Sequence, residues 1–243
     1  MDKHRRDDTD TVAQHPVDTR AAGIVLALAA VVSIVFVALD PEVSAKTSRT
    51  ILEALVANAP THRLVHAVEL ACVAGLGFGF LSLASRLGWR RPAVIGACLT
   101  YVVGCIAMVV AAVTDGFITG DVASYYLQPG HSVDTGREMI HLCYVVVQDF
   151  ATASWFFQSV GVLTMASALL QRPGLPRVVG VLGLATGALA PIAIVATYPA
   201  MDTTVVVGIL LAQLVWNMAA ATLLLKRGSW QPRASGQQTL QMA

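Results

Sequence analysis

Long uninterrupted runs of apolar residues dominate this chain of 243 residues. A helix needs about 20 apolar residues to cross the hydrocarbon core of a bilayer, which is about 30 Å thick. The alternation of polar and apolar residues that marks the strands of a membrane barrel is absent from these runs. The pattern therefore predicts an all-α polytopic membrane protein, a bundle of six transmembrane helices. The six predicted spans are Ala21–Leu39, Leu64–Leu87, Pro92–Val113, Met139–Leu170, Val178–Tyr198 and Thr204–Leu225.

The same pattern divides the chain into a polar tail at 1–20, a six-helix transmembrane domain at 21–225 and a disordered tail at 226–243. The first apolar run is too long for a signal peptide, so we expect it to be retained as a span. The fourth run exceeds one span, which predicts a tilt or a helical extension into the headgroup zone. Residues 40–63 and 114–138 are expected to be long outer loops, and "SRTILEALVANA" in the first has apolar residues at helical spacing, which favours a surface helix.

Basic residues indicate the orientation. Most Lys and Arg residues lie in the two tails and in the connections "RLGWRRP" and "QRPGLPR", which all fall on one side of a six-span chain. Because short cytoplasmic segments carry the excess of Lys and Arg, both termini are predicted to be cytoplasmic. The expected location is the bacterial inner membrane.

Composition supports the membrane assignment and narrows the partners. The chain is 56% hydrophobic and 13% charged, against about 25% charged in soluble domains, and its mean hydropathy is +0.66. The expected partner is the lipid bilayer, together with a lipid or small-molecule ligand. Nucleic acid is not expected, since the net charge is only +1. The sequence leaves the oligomeric state open, and it contains none of the catalytic motifs of soluble enzymes.

Ionisable residues cluster where three predicted spans meet the outer surface. His62, His66 and Glu69 lie on one face of the second span, because positions i, i+4 and i+7 fall within about 60° on a helix. The third span ends at Asp115, and the fourth begins with Glu138 and His141. The predicted ligand-binding pocket has six residues, of which the last lies deeper in the fourth span: His66, Glu69, Asp115, Glu138, His141 and Asp149.

Imidazole and carboxylate together suit a borderline divalent metal ion such as zinc, or iron. The predicted metal ligands are His62, His66, Glu69 and His141. His66 and His141 could also ligate a haem between the second and fourth spans, although haem is not expected. The sequence itself identifies no cofactor.

Structural explanations compete with these functional ones. His66 and Glu69 could simply pair with each other at i, i+3, and Asp115 could cap a turn beside Gly116. A solvated Glu138 at a helix N-terminus needs no ligand. Asp149 is expected near the membrane centre, where a charge is costly unless it is paired. It is therefore either a functional group or part of a polar contact that holds helices together.

Three stretches resemble a group of bacterial six-span membrane proteins catalogued as domain of unknown function 4386. They are "ILEALVANAPTHRLVHAVELACVAGLGFGFLSLASRL", "GREMIHLCYVVVQDF" and "GLPRVVGVLGLATGAL", and the resemblance covers about residues 20–225. It implies an integral membrane protein and no particular activity, so it assigns no functional residue.

The predicted function is accordingly a multi-pass membrane protein with an outward-facing pocket of histidines and carboxylates that binds a small ligand, a proton or a metal ion. One alternative is a metal-dependent or acid–base membrane enzyme acting on a lipid or isoprenoid, with His66 or His141 as base and Glu69 orienting it. The other is a structural or accessory membrane subunit, in which the polar residues only hold helices together.

Overall fold

A computed structural model describes residues 19–41, 46–197 and 203–226. This part of the chain forms seven α-helices and one π-helical segment, with no strand. The bounds are α1 Arg20–Leu39, α2 Ser48–Leu87, α3 Pro92–Val113, the π segment Thr114–Ile118, α4 Thr119–Tyr126, α5 Val133–Leu170, α6 Leu175–Thr197 and α7 Thr203–Leu225. The tails predicted at 1–20 and 226–243 lie outside the described residues, except for Thr19, Arg20 and Lys226.

Six helical stretches of the described chain are long and apolar enough to cross a membrane, as the sequence predicts. They are α1, α2, the continuous helix Pro92–Tyr126 that joins α3 to α4, α5, α6 and α7. The all-helical class of the described residues is therefore confirmed, and so is the presence of six helices long and apolar enough to span a membrane.

The two long loops predicted at 40–63 and 114–138 are mostly helical instead. Helix α2 begins at Ser48, behind a capping box in which the Thr47 side chain and the Thr50 backbone N–H pair, and it continues through Pro60 into the span. Its 40 residues reach about 60 Å, twice the hydrocarbon thickness. Helix α5, with 38 residues, is almost as long and begins at Val133, before the predicted start of the fourth span at Met139.

The six spans form a closed ring in which each packs against its chain neighbours, in the order α1, α2, α3, α5, α6, α7 and back to α1. Small residues permit these close approaches. At Gly79 of α2 a β-carbon would lie 2.6 Å from the Leu26 β-carbon of α1, and at Gly183 of α6 it would lie 2.6 Å from Nε1 of Trp216 on α7. Lipid tails are as apolar as the helix surfaces, so the hydrophobic effect does not bring membrane helices together. Close packing of the backbones at small residues contributes to their association instead.

One end of the ring is filled with side chains. Phe80 stacks on Tyr101 with a centroid separation of 3.9 Å, and Trp216 lies 5.7 Å from Phe80. The first and last residues that the structure describes lie near this end, where the Thr19 hydroxyl donates a hydrogen bond to the carbonyl of Leu224. This end is closed, so a cavity can form only further along the ring.

The opposite end is looser and carries a helical extension. The first part of α2, α4 and the start of α5 pack around a small apolar cluster of Leu52, Leu55, Ala123 and Ile140. Between this extension and the packed end, the ring encloses a cavity, which contains the candidate site.

Candidate functional site

His66 lies at the centre of the site. It is on α2, the residue is buried with 6% of its surface exposed, and its Nδ1–H donates to Oε2 of Glu69 at 2.9 Å. The pair spans i to i+3 on one helix face, as the sequence predicts. Since Nδ1 carries the proton in this arrangement, Nε2 presents its lone pair to the opposite side.

Two carboxylates from other elements face that nitrogen. Oδ2 of Asp115, in the π segment, lies 3.5 Å from Nε2 of His66. Oδ2 of Asp40, the residue that follows α1, lies 3.8 Å away. A neutral imidazole lone pair and two carboxylates would repel one another, so the arrangement calls for a positive charge between them, which either a proton on Nε2 or a bound cation supplies.

His62 completes the group, one turn before His66 on α2. Its Nδ1 lies 3.0 Å from Oδ1 of Asp40, and its ring stacks on that of His66 with centroids 6.1 Å apart and planes 3° from parallel. Asp40, His62 and His66 each offer one ligand atom, and these three atoms all lie within 4.8 Å of one another. A tetrahedral zinc ion holds its ligand atoms roughly 3.4 Å apart, so small side-chain shifts would suffice.

Four buried atoms of this group have no hydrogen-bond partner among the described residues: Oδ1 of Asp40, Nδ1 and Nε2 of His62, and Nε2 of His66. The 3.0 Å approach of His62 to Asp40 is close but is not aligned as a hydrogen bond. Leaving a buried polar atom unpaired costs about 1–3 kcal/mol, and more for a charged one. A bound cation or ordered water in this place would satisfy these polar atoms.

Burial raises the pKa of the Asp40 carboxyl above its ordinary value, while His66 and His62 oppose that rise. The carboxylate form is therefore costly here unless a positive charge stands beside it.

A cavity of about 140 Å³ opens beside the group. Its polar patch consists of Asp40, His66, Glu69 and Asp115. The remaining wall is apolar and comes from five helices: Val37, Val65, Met108, Ala111, Ala112, Val147, Ala151, Trp155, Val206 and Leu210.

The structure brings together His62, His66, Glu69 and Asp115 of the predicted site residues and leaves the α5 residues out. Glu138, His141 and Asp149 are exposed on α5 and do not line the cavity. That helix contributes an apolar stripe at i, i+4 and i+8, namely Val147, Ala151 and Trp155. Asp149 is two residues from Val147, which turns it about 200° around the helix and away from the cavity.

Asp40 is the member of the site that sequence reasoning missed. It follows the first apolar run directly in "VALDPEV", where it was interpreted only as the start of an outer loop. The available signal was its membrane depth, because a residue that directly follows the first span is level with residues that begin the second.

Comparison with protein-family models, with curated proteins and with solved structures finds no match in any of the three. The resemblance to the six-span family of unknown function therefore stays a prediction.

Proposed function

We propose that this chain is a membrane protein that binds a divalent transition metal ion of the zinc class through Asp40, His62 and His66. The observation that carries the proposal is the convergence of these three side chains within 4.8 Å, with buried ligand atoms that have no hydrogen-bond partner among the described residues.

The surrounding carboxylates fit the supporting roles of a metal site. A metal-bound histidine commonly donates its other ring N–H to a carboxylate, which orients the ring, and Glu69 accepts such a bond from His66. Asp115 is close enough to His66 to serve as a further ligand or to hold a metal-bound water. Three protein ligands leave a coordination position open, which is the pattern of zinc sites that bind an exogenous molecule.

The proposed setting is the bacterial inner membrane, with both termini in the cytoplasm and the cavity on the outer side. The distribution of Lys and Arg among the connections supports this orientation. The cavity lies at the end of the ring opposite Thr19 and Leu224. Membership of the family catalogued as domain of unknown function 4386 is part of the same proposal.

Zinc binding by the full-length protein in detergent micelles tests the proposal. After chelation and reloading, we expect one zinc ion per chain by elemental analysis. The His62→Ala and Asp40→Asn variants should bind zinc at least about tenfold more weakly.

His141→Ala is the matched control, because His141 is exposed on α5 and should not affect the zinc affinity. Circular dichroism checks that each variant remains helical. A folded wild-type protein that takes up no zinc, or that binds it no better than His62→Ala does, would refute the proposal.

A membrane enzyme acting on a lipid or isoprenoid is the second candidate function. The observation that favours it is the apolar cavity beside the open coordination position, since a lipid-derived substrate needs both an activated centre and a dry space for its chain.

A further inference from the structure

The cavity extends from the polar group towards the middle of the membrane. On α3, Met108 lies seven residues before Asp115, which places it about 10 Å deeper along the helix axis. On α5, Trp155 lies eight residues beyond Val147, a displacement of about 12 Å. All four of these residues line the same cavity, so it is an elongated space with ionisable groups at one end.

The deep part of the cavity suits an apolar group better than water. Among the described residues its wall there consists of Met108, Ala151, Trp155, Val206 and Leu210. Apolar cavities of about 150 Å³ accept a benzene-sized molecule, and the whole of this cavity, its polar end included, measures about 140 Å³. An apolar group no larger than about a benzene ring would therefore fit its deep part.

The charge of the polar end restricts the head of such a ligand. Asp40, Glu69 and Asp115 supply three carboxylates around the proposed ion, which carries only two positive charges. The loaded site retains negative charge, so a phosphate or carboxylate head would be repelled. A neutral oxygen donor such as an alcohol, an ester or an amide carbonyl can occupy the open position without that repulsion.

We infer that the site binds an amphipathic molecule whose neutral oxygen-donor head coordinates the metal ion and whose apolar group fills the cavity between α3, α5 and α7. The inference rests on the proposed metal binding and adds the chemical class of the ligand. A membrane lipid and a small amphipathic solute share this chemistry.

Two amides test the inference on the zinc-loaded protein. Acetamide and benzamide carry the same neutral carbonyl donor, but only the second has an apolar ring. We expect benzamide to bind the wild type about tenfold more tightly or better, since burying apolar surface is favourable. Binding is followed by the fluorescence of Trp155, which is identified as the part of the emission that the Trp155→Phe variant lacks.

Ala151→Leu fills the cavity, and Ala153→Leu is its matched control. Both alanines are half-buried on α5, but only Ala151 lines the cavity. The ratio of the affinities for the aromatic and the non-aromatic probe should fall towards one in Ala151→Leu and stay unchanged in Ala153→Leu. Both variants should keep their zinc.

Zinc content separates the two ways in which the experiment can fail. Absence of zinc from the folded wild type refutes the proposed function. Bound zinc with equal affinity for the two probes, or a preference that Ala151→Leu leaves intact, overturns the ligand inference alone.

A vesicle experiment distinguishes the two sources of the ligand. In vesicles of phosphatidylcholine brominated on its acyl chains, a lipid chain inside the cavity quenches Trp155, and benzamide relieves the quenching. Unchanged quenching on addition of the probe identifies a water-soluble amphipathic ligand instead.

Discussion

At the scale of single residues, the site depends on how His66 is held. Its Nδ1–H is fixed by Glu69, and its Nε2 faces Asp40 and Asp115. The i, i+3 pairing of His66 with Glu69 was predictable from helical periodicity alone. The contribution of Asp40 was not, because the residues between Asp40 and α2 do not reveal where the chain turns back.

Gly116 provides the space that His66 occupies. A β-carbon at Gly116 would lie 2.4 Å from the β-carbon of His66 and 2.7 Å from its ring. No real structure tolerates such contacts, so any side chain here displaces the imidazole. The sequence suggests a turn at Asp115 and Gly116, but the need for glycine arises from the neighbouring helix.

Replacing Gly116 with alanine should therefore weaken zinc binding without unfolding the protein. We expect a loss of about 10–100-fold in affinity, the range seen when the support of a metal ligand is removed. Isothermal titration of zinc into the purified protein measures it. Gly120→Ala is the control, because its β-carbon would meet only the Ala59 β-carbon at 3.2 Å. Equal zinc affinities in the two variants would argue against this role for Gly116.

At the scale of secondary-structure elements, the π segment Thr114–Ile118 brings Asp115 into the site. The backbone N–H of Thr119 donates to the carbonyl of Thr114, and the Thr119 hydroxyl donates to the same oxygen at 2.9 Å. Segments of this kind insert one residue into a helix and often lie at functional sites. The hydrophobic pattern marks only where the apolar run ends, so the segment was predicted as a loop.

The extension beyond the membrane is held together by few residues. Leu52 is fully buried in the cluster formed by α2, α4 and α5, whereas Val56 on the same helix is 36% exposed. The sequence predicts a helix around "SRTILEALVANA", and this helix is present. That it continues unbroken into the span was not predicted, because Pro60 and the polar residues after it indicate a boundary.

Leu52→Ala should lower the free energy of unfolding by about 2–5 kcal/mol, as expected for removal of a buried leucine side chain. Val56→Ala, at a partly exposed position, should change it by only about 0.5 kcal/mol. Chemical denaturation in mixed micelles, followed by circular dichroism, measures both values. A cost for Leu52→Ala no larger than that for Val56→Ala would show that the extension contributes nothing to stability.

At the scale of the whole molecule, the ring of six helices is closed at one end and encloses the cavity towards the other. Phe80, Tyr101 and Trp216 fill the closed end, where the described ends of the chain also lie. The proposed metal site therefore lies towards the end opposite the first and last described residues, and the proposed orientation makes that end the outer side.

Labelling of introduced cysteines tests this orientation. Gln128, between α4 and α5, and Gln171, between α5 and α6, are both exposed and lie at opposite ends of the ring. A membrane-impermeant maleimide added to intact cells should modify the Gln128→Cys variant, and it should modify the Gln171→Cys variant only after permeabilisation. The four native cysteines are buried or half-buried, which keeps the background low. The reverse labelling pattern would place the cavity towards the cytoplasmic side of the membrane.

The sequence by itself determined the helical class, the six helices long and apolar enough to cross a membrane, and the i, i+3 pairing of His66 with Glu69, because run length and helical spacing are local properties. Only the tertiary structure decided that Asp40 joins His62 and His66 while His141 and Asp149 stay outside the cavity. The spans are apolar around most of their circumference, so no polar stripe marks which face points inwards. That choice is made when the helices pack against one another, and the packing also creates the cavity.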